Sequence, residues 1–521
     1  MALVVVVTTS EGAVRGLRSA DGVVAFKGIA YAAAPVGRDW LGPPGPPPRR
    51  TGVFEAAEYG ATVAKAPYRP PFDRLLPEVD VAGDESLNLN IWTGDVRGRA
   101  PVMVWLHGGG FLNGSGSMPC YDGTAFARDG VVLVTLNYRL GAPGYLYLGA
   151  GTGNLGLLDQ ISALTWVRAN IAAFGGDPEN VTVFGESAGA MSIGTLLATP
   201  AAAGLFRRAV LQSGAAHQAH DAASARLVTA RFADMLGIEP TRAAFARVPV
   251  ERMVAAQPDL RAQLWSDPDP ARWGQAAATM LPFEPVVDGA VLPEDPVAVI
   301  ARGEGHDVQV LIGCNLDEFR LFTVPTGQFD ALPEAVARAT AERYGLDPDR
   351  ALEVYRAGGS PVIPGDADAS GGGTRATPGS GSQVTPGAVH ARLVTDWIYR
   401  IPALHLAEAY ARRRPGSVHV YEFTWQPSAF DGKIGACHGA EVPFVFDNLA
   451  EGSFAALLGK DLPQRLADAM HAAWVAFARD GDPGWAAYDL EERATMMFDL
   501  EGGVQEDPRA QERRLWEGLR G

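Results

Sequence analysis

The sequence predicts an α/β fold, with a central, mostly parallel twisted sheet flanked by helices and helical cap or lid insertions above it. Three observations point that way. Short apolar runs such as Val102 to Leu106, Val131 to Asn137, Val181 to Phe184, Ala209 to Gln212 and Val308 to Gly313 read as buried strands. Between them lie stretches of helical spacing, the clearest running through Leu157, Ile161, Leu164, Val167 and Ile171. The chain is also long enough, at 521 residues with 47% hydrophobic and 20% charged, to bury a large core as a globular protein.

The first 30 residues hold three short strands, Leu3 to Thr9, Gly12 to Leu17 and Val23 to Phe26, with an Asp21-Gly22 hairpin turn between the last two. They read as an antiparallel edge. Proline and glycine make Ala34 to Pro48 a loop, and Leu87 to Trp92 alternates like a half-buried strand. Val102 to Leu106 ends in His107-Gly108-Gly109-Gly110-Phe111, whose bare N–H groups can face a cavity at the strand end. Gly109 and Gly110 are therefore candidate oxyanion donors; no Gly-Lys-Ser/Thr follows, as a phosphate cradle would require.

Gly151-Thr152-Gly153-Asn154-Leu155-Gly156 matches a dinucleotide fingerprint, with Asp177 about twenty residues on. The match lacks its context. Asp177 reads as part of a loop, Gly175-Gly176-Asp177-Pro178, ahead of the strand Val181 to Phe184 and not at a strand end, so no nucleotide site is expected. Asp221 to Trp273 (221–273) is rich in Ala, Arg and Leu with helical spacing, a candidate cap or lid. Leu332 to Tyr344, Ala391 to Arg412 and Leu462 to Arg479 read as helices, and His419 to Trp425 as a strand. Residues 357–388 are dominated by Gly, Ser, Pro, Thr and Asp and are expected to form a flexible loop within one domain spanning 1–521.

The chemistry centres on Val181-Thr182-Val183-Phe184-Gly185-Glu186-Ser187-Ala188-Gly189-Ala190. Four β-prone residues run through a Gly-x-Ser-x-Gly turn into the helical stretch Met191 to Ala198, stopped by Pro200. Such a turn strains its central residue and lifts the Ser187 hydroxyl clear of the sheet, while the helix start offers the Ala188 N–H to an oxyanion. Ser187 is the candidate nucleophile. On this arrangement, which the α/β-hydrolase fold uses, an acid and then a histidine follow the serine on loops after strands. Of the nine histidines, His405 and His471 fall in helical runs, His419 in a strand, and His390 beside the 357–388 stretch. His438, among small residues after the strand ending at Trp425, is the candidate base. For the acid, Asp288, Asp317 and Glu318 all follow the serine, and position alone does not separate Asp317 from Glu318.

The chain resembles the type-B carboxylesterases, the α/β-hydrolase family that includes bacterial para-nitrobenzyl esterases and the cholinesterases. The resemblance rests on Phe26 to Tyr31, Asp84 to Asn90, His107 to Phe111, Asn137 to Arg139, Gly153 to Gln160, Phe184 to Gly189, Pro285 to Gly289, Asn315 to Glu318, His438 to Phe446 and Ala473 to Phe477. It implies that Ser187 is the nucleophile, Glu318 the acid and His438 the base, with Gly109, Gly110 and Ala188 as the oxyanion hole. It also implies a serine near the acid, Ser213, and a carboxylate at the pocket floor, Glu186. A serine carboxylesterase acting on small to medium esters through an acyl-enzyme is expected, without cofactor or metal. An amidase or carbamate hydrolase with the same triad, or a non-catalytic esterase-like binding module, is the alternative. Two departures stand out. Ser86 occupies the place of a cysteine in secreted relatives, and no tryptophan lies between Trp40 and Trp92, where cholinesterases carry their choline-binding tryptophan.

A net charge of −16 argues against nucleic acid or an anionic membrane as partner and favours neutral or cationic small molecules. Cys120, Cys314 and Cys437 show no disulfide or zinc spacing. Leu3 to Val7 is too short for a membrane span and no basic residue precedes it, so no membrane anchor is expected. The expected setting is cytoplasmic. The sequence does not fix the oligomeric state; a monomer is the default.

Overall fold

β-Branched and aromatic runs pack well on both faces of a pleated sheet, and here they pair into one large sheet. The computed structural model describes residues 3–37, 39–149, 151–304, 307–358 and 384–519, and among these the sheet has thirteen strands. Its centre is parallel, in the spatial order Val132–Leu136, Ala100–Leu106, Gly176–Glu186, Arg208–Gln212, Gln309–Asn315, Val418–Phe423 and Ala494–Phe498. Antiparallel strands extend one side through Asn88–Thr93, Val24–Ala30, Gly12–Arg18 and Leu3–Thr9, and Gly503–Glu506 closes the other.

Side chains alternate between two buried layers. Val102, Val104, Val181, Val183, Ala209 and Leu211 pack on one face, against the helices Leu155–Asn170, Ala188–Leu196 and Ile401–Arg413. Met103, Trp105, Phe184 and Val210 pack on the other, against Gln464–Asp480. The stripe Leu157, Ile161, Leu164, Val167 and Ile171 is buried in the first layer, so its spacing serves the core. In the glycine-rich turn before that helix, Asn154 exchanges two hydrogen bonds with the Val286 main chain, at 2.7 and 2.8 Å.

Several boundaries differ from the sequence reading. Asp177 is not in a loop: the strand begins at Gly176, which pairs with Ala100 across a register irregularity, and Asp177 forms a 3.0 Å ion pair with Arg99. The helices read from Ala391 to Arg412 begin earlier and are joined by a π-helical turn: Pro386–Thr395, the turn Asp396–Arg400, and Ile401–Arg413. Pro402 has no N–H to give to the Ile398 carbonyl, which accepts from the Gln218 side chain instead at 3.3 Å. The Pro386 start also trims the 357–388 stretch, of which 359–383 lies outside the described residues. Val53–Glu55, Ala494–Phe498 and Gly503–Glu506 are strands that the sequence reading did not include.

Within 221–273 the chain is helical over Ala222–Leu236 and Val250–Ser266, with shorter helices at Arg242–Phe245 and Pro270–Trp273. Val228, Phe232, Met253 and Leu260 share a core with Phe111, Ala188 and Met191, so these helices cover the carboxyl ends of the central strands.

A buried ion pair ties the layers. Arg139, after Val132–Leu136, donates to both oxygens of Asp159 at 2.8 and 2.7 Å and to the Trp40 and Gly42 carbonyls at 3.0 and 2.6 Å. Replacing one member of such a pair strands the other in the core. Asp159→Ala should lower the unfolding free energy by about 3–5 kcal/mol. Urea denaturation followed by tryptophan fluorescence measures it, and a loss near that of an exposed pair, under about 1 kcal/mol, would show that Arg139 finds other compensation.

Candidate active site

From Ala100–Leu106 the chain continues to Val132–Leu136 on one side, then crosses to Gly176–Glu186 on the other. Adjacent strands therefore send their following loops apart, which opens a crevice at their carboxyl ends. His107 to Phe111 leaves one strand there and Ser187 the other.

Ser187 has φ 55° and ψ −124°, a conformation that a residue with a side chain adopts only under constraint. The constraint is close packing. A side chain at Gly189 would overlap the Leu106 carbonyl oxygen, and one at Gly185 would come within 2.6 Å of it. The Ser187 N–H donates to the Gln212 carbonyl at 2.9 Å, pinning the turn to the next strand. Ala188 is the first residue of Ala188–Leu196, so its N–H belongs to the group a helix leaves without an internal acceptor. Gly109 and Gly110 have φ values of 113° and 61°, and their N–H groups meet no acceptor among the described residues. Gly109, Gly110 and Ser187 border one cavity.

Glu318 follows Gln309–Asn315. Its Oε2 lies 2.7 Å from His438 Nδ1, and its Oε1 accepts the Asn315 N–H at 2.7 Å. The His438 N–H donates to the Glu318 carbonyl at 3.2 Å, so main chain as well as side chain holds the two loops together. The other acids left open by position are engaged elsewhere. Asp317 pairs with Arg320 at 2.9 Å, and Asp288 accepts the N–H groups of Ala290, Val291 and Leu292. His405 and His471 lie in helices and His419 in a strand, while His390 contacts the Thr340 hydroxyl at 3.1 Å.

On its far side, His438 Nε2 is 3.1 Å from Glu186 Oε1, and it makes no hydrogen bond to Ser187 in this arrangement. Ser213 follows Arg208–Gln212 with φ 55°; its N–H donates to the Gly313 carbonyl at 2.8 Å, and its buried hydroxyl makes no hydrogen bond to Glu318. Glu441 was not singled out from the sequence. It is fully buried and accepts from Asn315 Nδ2 at 2.6 Å and Gln212 Nε2 at 3.1 Å. Its only sequence signal was a carboxylate one helical turn after the candidate base.

Burial pushes the Glu186 carboxyl up to about 8, helped by the Glu441 and Glu318 charges and opposed by His438. Burial alone would lower His438, but the Glu186, Glu318 and Glu441 carboxylates outweigh it and raise the imidazole to about 9. The two shifts describe one fact. Glu186 and His438 Nε2 titrate as a pair, with Glu318 fixing the other ring nitrogen. Burial, with Glu318 beside it, raises Glu441 too.

The cavity holds about 330 Å³ and is mainly apolar, with Phe72, Leu281, Phe319, Phe322 and Tyr399 in its wall. The Tyr399 and Phe322 rings lie 4.8 and 5.9 Å from the His438 ring. Among the described residues no group of three or more His, Cys, Asp or Glu is placed to hold a metal ion. No described helix is long and apolar enough to cross a membrane.

A serine on a strand-to-helix turn, with its histidine and acid on later strand-end loops, is the plan of the α/β-hydrolases. The carboxylesterase family pattern matches residues 4–516, and the chain belongs to that family. It is 36% identical to the para-nitrobenzyl esterase of Bacillus subtilis, with 98% of each chain covered. To the phenmedipham hydrolase of Pseudarthrobacter oxydans it is 34% identical, with 92% of each covered. Among solved structures, a para-nitrobenzyl esterase superposes with TM-score 0.81 at 34% identity, and the Geobacillus stearothermophilus carboxylesterase with 0.79 at 36%. These matches cover 98% of this chain and 99% of the others. The protein is accordingly a carboxylic ester hydrolase.

This pairing gives a signed expectation. Removing the Glu186 charge takes away a carboxylate that raises His438, so in Glu186→Gln the imidazole should lose its proton at lower pH than in the wild type. Titration of ¹³C-labelled histidine by NMR reads this directly. An unmoved midpoint would mean that Glu318 and Glu441 alone set the basicity.

Proposed function

We propose that the protein hydrolyses small to medium carboxylic esters by two-step acyl transfer, with Ser187 as nucleophile, His438 as base and Glu318 as acid. The observation that carries this is the 2.7 Å contact of Glu318 on Nδ1 of His438, which lines the same cavity as the strained Ser187. Held by Glu318, the imidazole presents Nε2 to the cavity and takes the Ser187 proton as Oγ attacks the ester carbonyl. The N–H groups of Gly109, Gly110 and Ala188 receive the oxyanion, each contributing about 3 kcal/mol by analogy with other hydrolases. His438 returns the proton to the leaving alcohol, then draws one from water, which releases the acid.

As the ester seats, Glu186 moves off Nε2 and carries away the proton held there as a neutral carboxyl, which leaves Nε2 free to accept the one from Ser187. Ser213 supports the strand end behind the acid through its bond to Gly313. Three buried free thiols, Cys120, Cys314 and Cys437, support a reducing, cytoplasmic setting.

The test is p-nitrophenol release from an acetate-to-octanoate ester series, wild type beside Ser187→Ala. The wild type should show an acyl-enzyme burst at some chain length, and the variant should lose roughly 10⁶-fold in kcat. Equal rates for the two proteins would remove Ser187 from the chemistry.

A further inference from the structure

The helix Val250–Ser266 lays one face over the cavity, and three residues spaced four apart, Gln257, Arg261 and Trp265, line it. The outer two are fixed to the body of the protein. Gln257 accepts the Ala142 N–H at 2.8 Å, and the Trp265 indole donates to the Met280 carbonyl at 2.9 Å. Between them stands the Arg261 guanidinium, 5.0 Å over the Trp265 ring, with no hydrogen bond or ion pair to any described residue. Its half-buried side chain thus lies against Trp265 and has no anionic partner of its own.

The surrounding charges show why. Asp259, on the same helix, is taken by Arg69 at 2.8 Å. Glu78 is paired with Lys65 at 3.6 Å and hydrogen-bonded by Asn113. Glu186 is turned to His438. Arg261 lines the same cavity as His438, together with the phenols of Tyr68 and Tyr399. Burial lowers the Arg261 pKa, although a guanidinium stays charged in this range.

A buried-edge cation without an anion is costly unless a ligand supplies one. We infer that Arg261 is a specificity-determining residue that binds a carboxylate on the substrate, so that the enzyme favours esters bearing a free acid group. The inference rests on the esterase reading above and narrows its substrate class. It runs against the chain's net charge of −16, but surface charge is screened within about 8 Å at physiological salt, whereas a cation inside the cavity acts at contact.

Matched esters test it. Mono-4-nitrophenyl glutarate against 4-nitrophenyl valerate places the acid on the acyl side; 4-acetoxybenzoate against 4-acetoxytoluene places it on the alcohol side. Arg261→Gln should lose about tenfold or more in kcat/KM, mostly through KM, on one of the two acid esters, and less than twofold on its neutral partner. Arg261→Lys should recover part of the loss. Calorimetric binding of 4-methylbenzoate and glutarate, each against its amide, supplies a readout independent of turnover, and Arg261→Gln should abolish any preference for the acid. Equal losses on acid and neutral esters, or no acid preference in either assay with the wild type, would overturn the assignment. Failure of the ester reading looks different: no turnover of any ester above that of Ser187→Ala, whatever residue stands at 261.

Discussion

The site depends on how closely two neighbouring strands end. Leu106 pairs with Gly185, and the Leu106 carbonyl then sits where a side chain at either glycine of the Ser187 turn would be. That single approach sets the path of the chain into Ala188–Leu196 and holds Ser187 in its strained conformation. It also brings Gly109 and Gly110, three and four residues beyond Leu106, to the same side as the serine. The Ser187 N–H bond to Gln212 then ties the turn to the third strand of the group, so three strand ends share the strain.

The second constraint is electrostatic. Glu186, Glu318 and Glu441 are buried around one imidazole, an arrangement that would repel itself if all three were ionised. Amide side chains moderate it. Asn315 and Gln212 donate to Glu441, and Gln212 is itself oriented by the Trp474 indole at 3.0 Å. These partners come from the Gln309–Asn315 strand, the Arg208–Gln212 strand and the Gln464–Asp480 helix, so the cluster's electrostatics and the packing of the sheet are not separable.

Much of this was legible in the sequence because it is local. The apolar strand before Ser187, the glycines around it and the helix after it are neighbours in the chain, and their spacing carries the turn. His438 could be sorted from other histidines because helices and strands left few in loops. What could not be read is set by register. Asp317 and Glu318 differ by one position, and only the strand's end at Asn315 decides which of them faces the imidazole. Asp177 falls in a strand because Ala100 reaches back to pair with Gly176. Arg261 is one of several arginines in a helical stretch, and its lack of a partner is visible only once Asp259 is seen to be occupied by Arg69. The π-helical turn at Asp396–Arg400 had a readable cause in Pro402, but the Gln218 side chain that completes it lies far away in the chain.

The three thiols have a use beyond their compartment. Cys120, Cys314 and Cys437 are buried, and burial raises each well above its ordinary thiol range. Cys314 sits in a central strand and Cys437 beside the histidine, with Cys120 under the strand ends. In the folded chain such thiols should be silent toward alkylating reagents, each becoming reactive only when its own region opens. Their labelling rates would thus act as three internal clocks for breathing of the sheet, the base loop and the strand-end layer, with no foreign probe introduced.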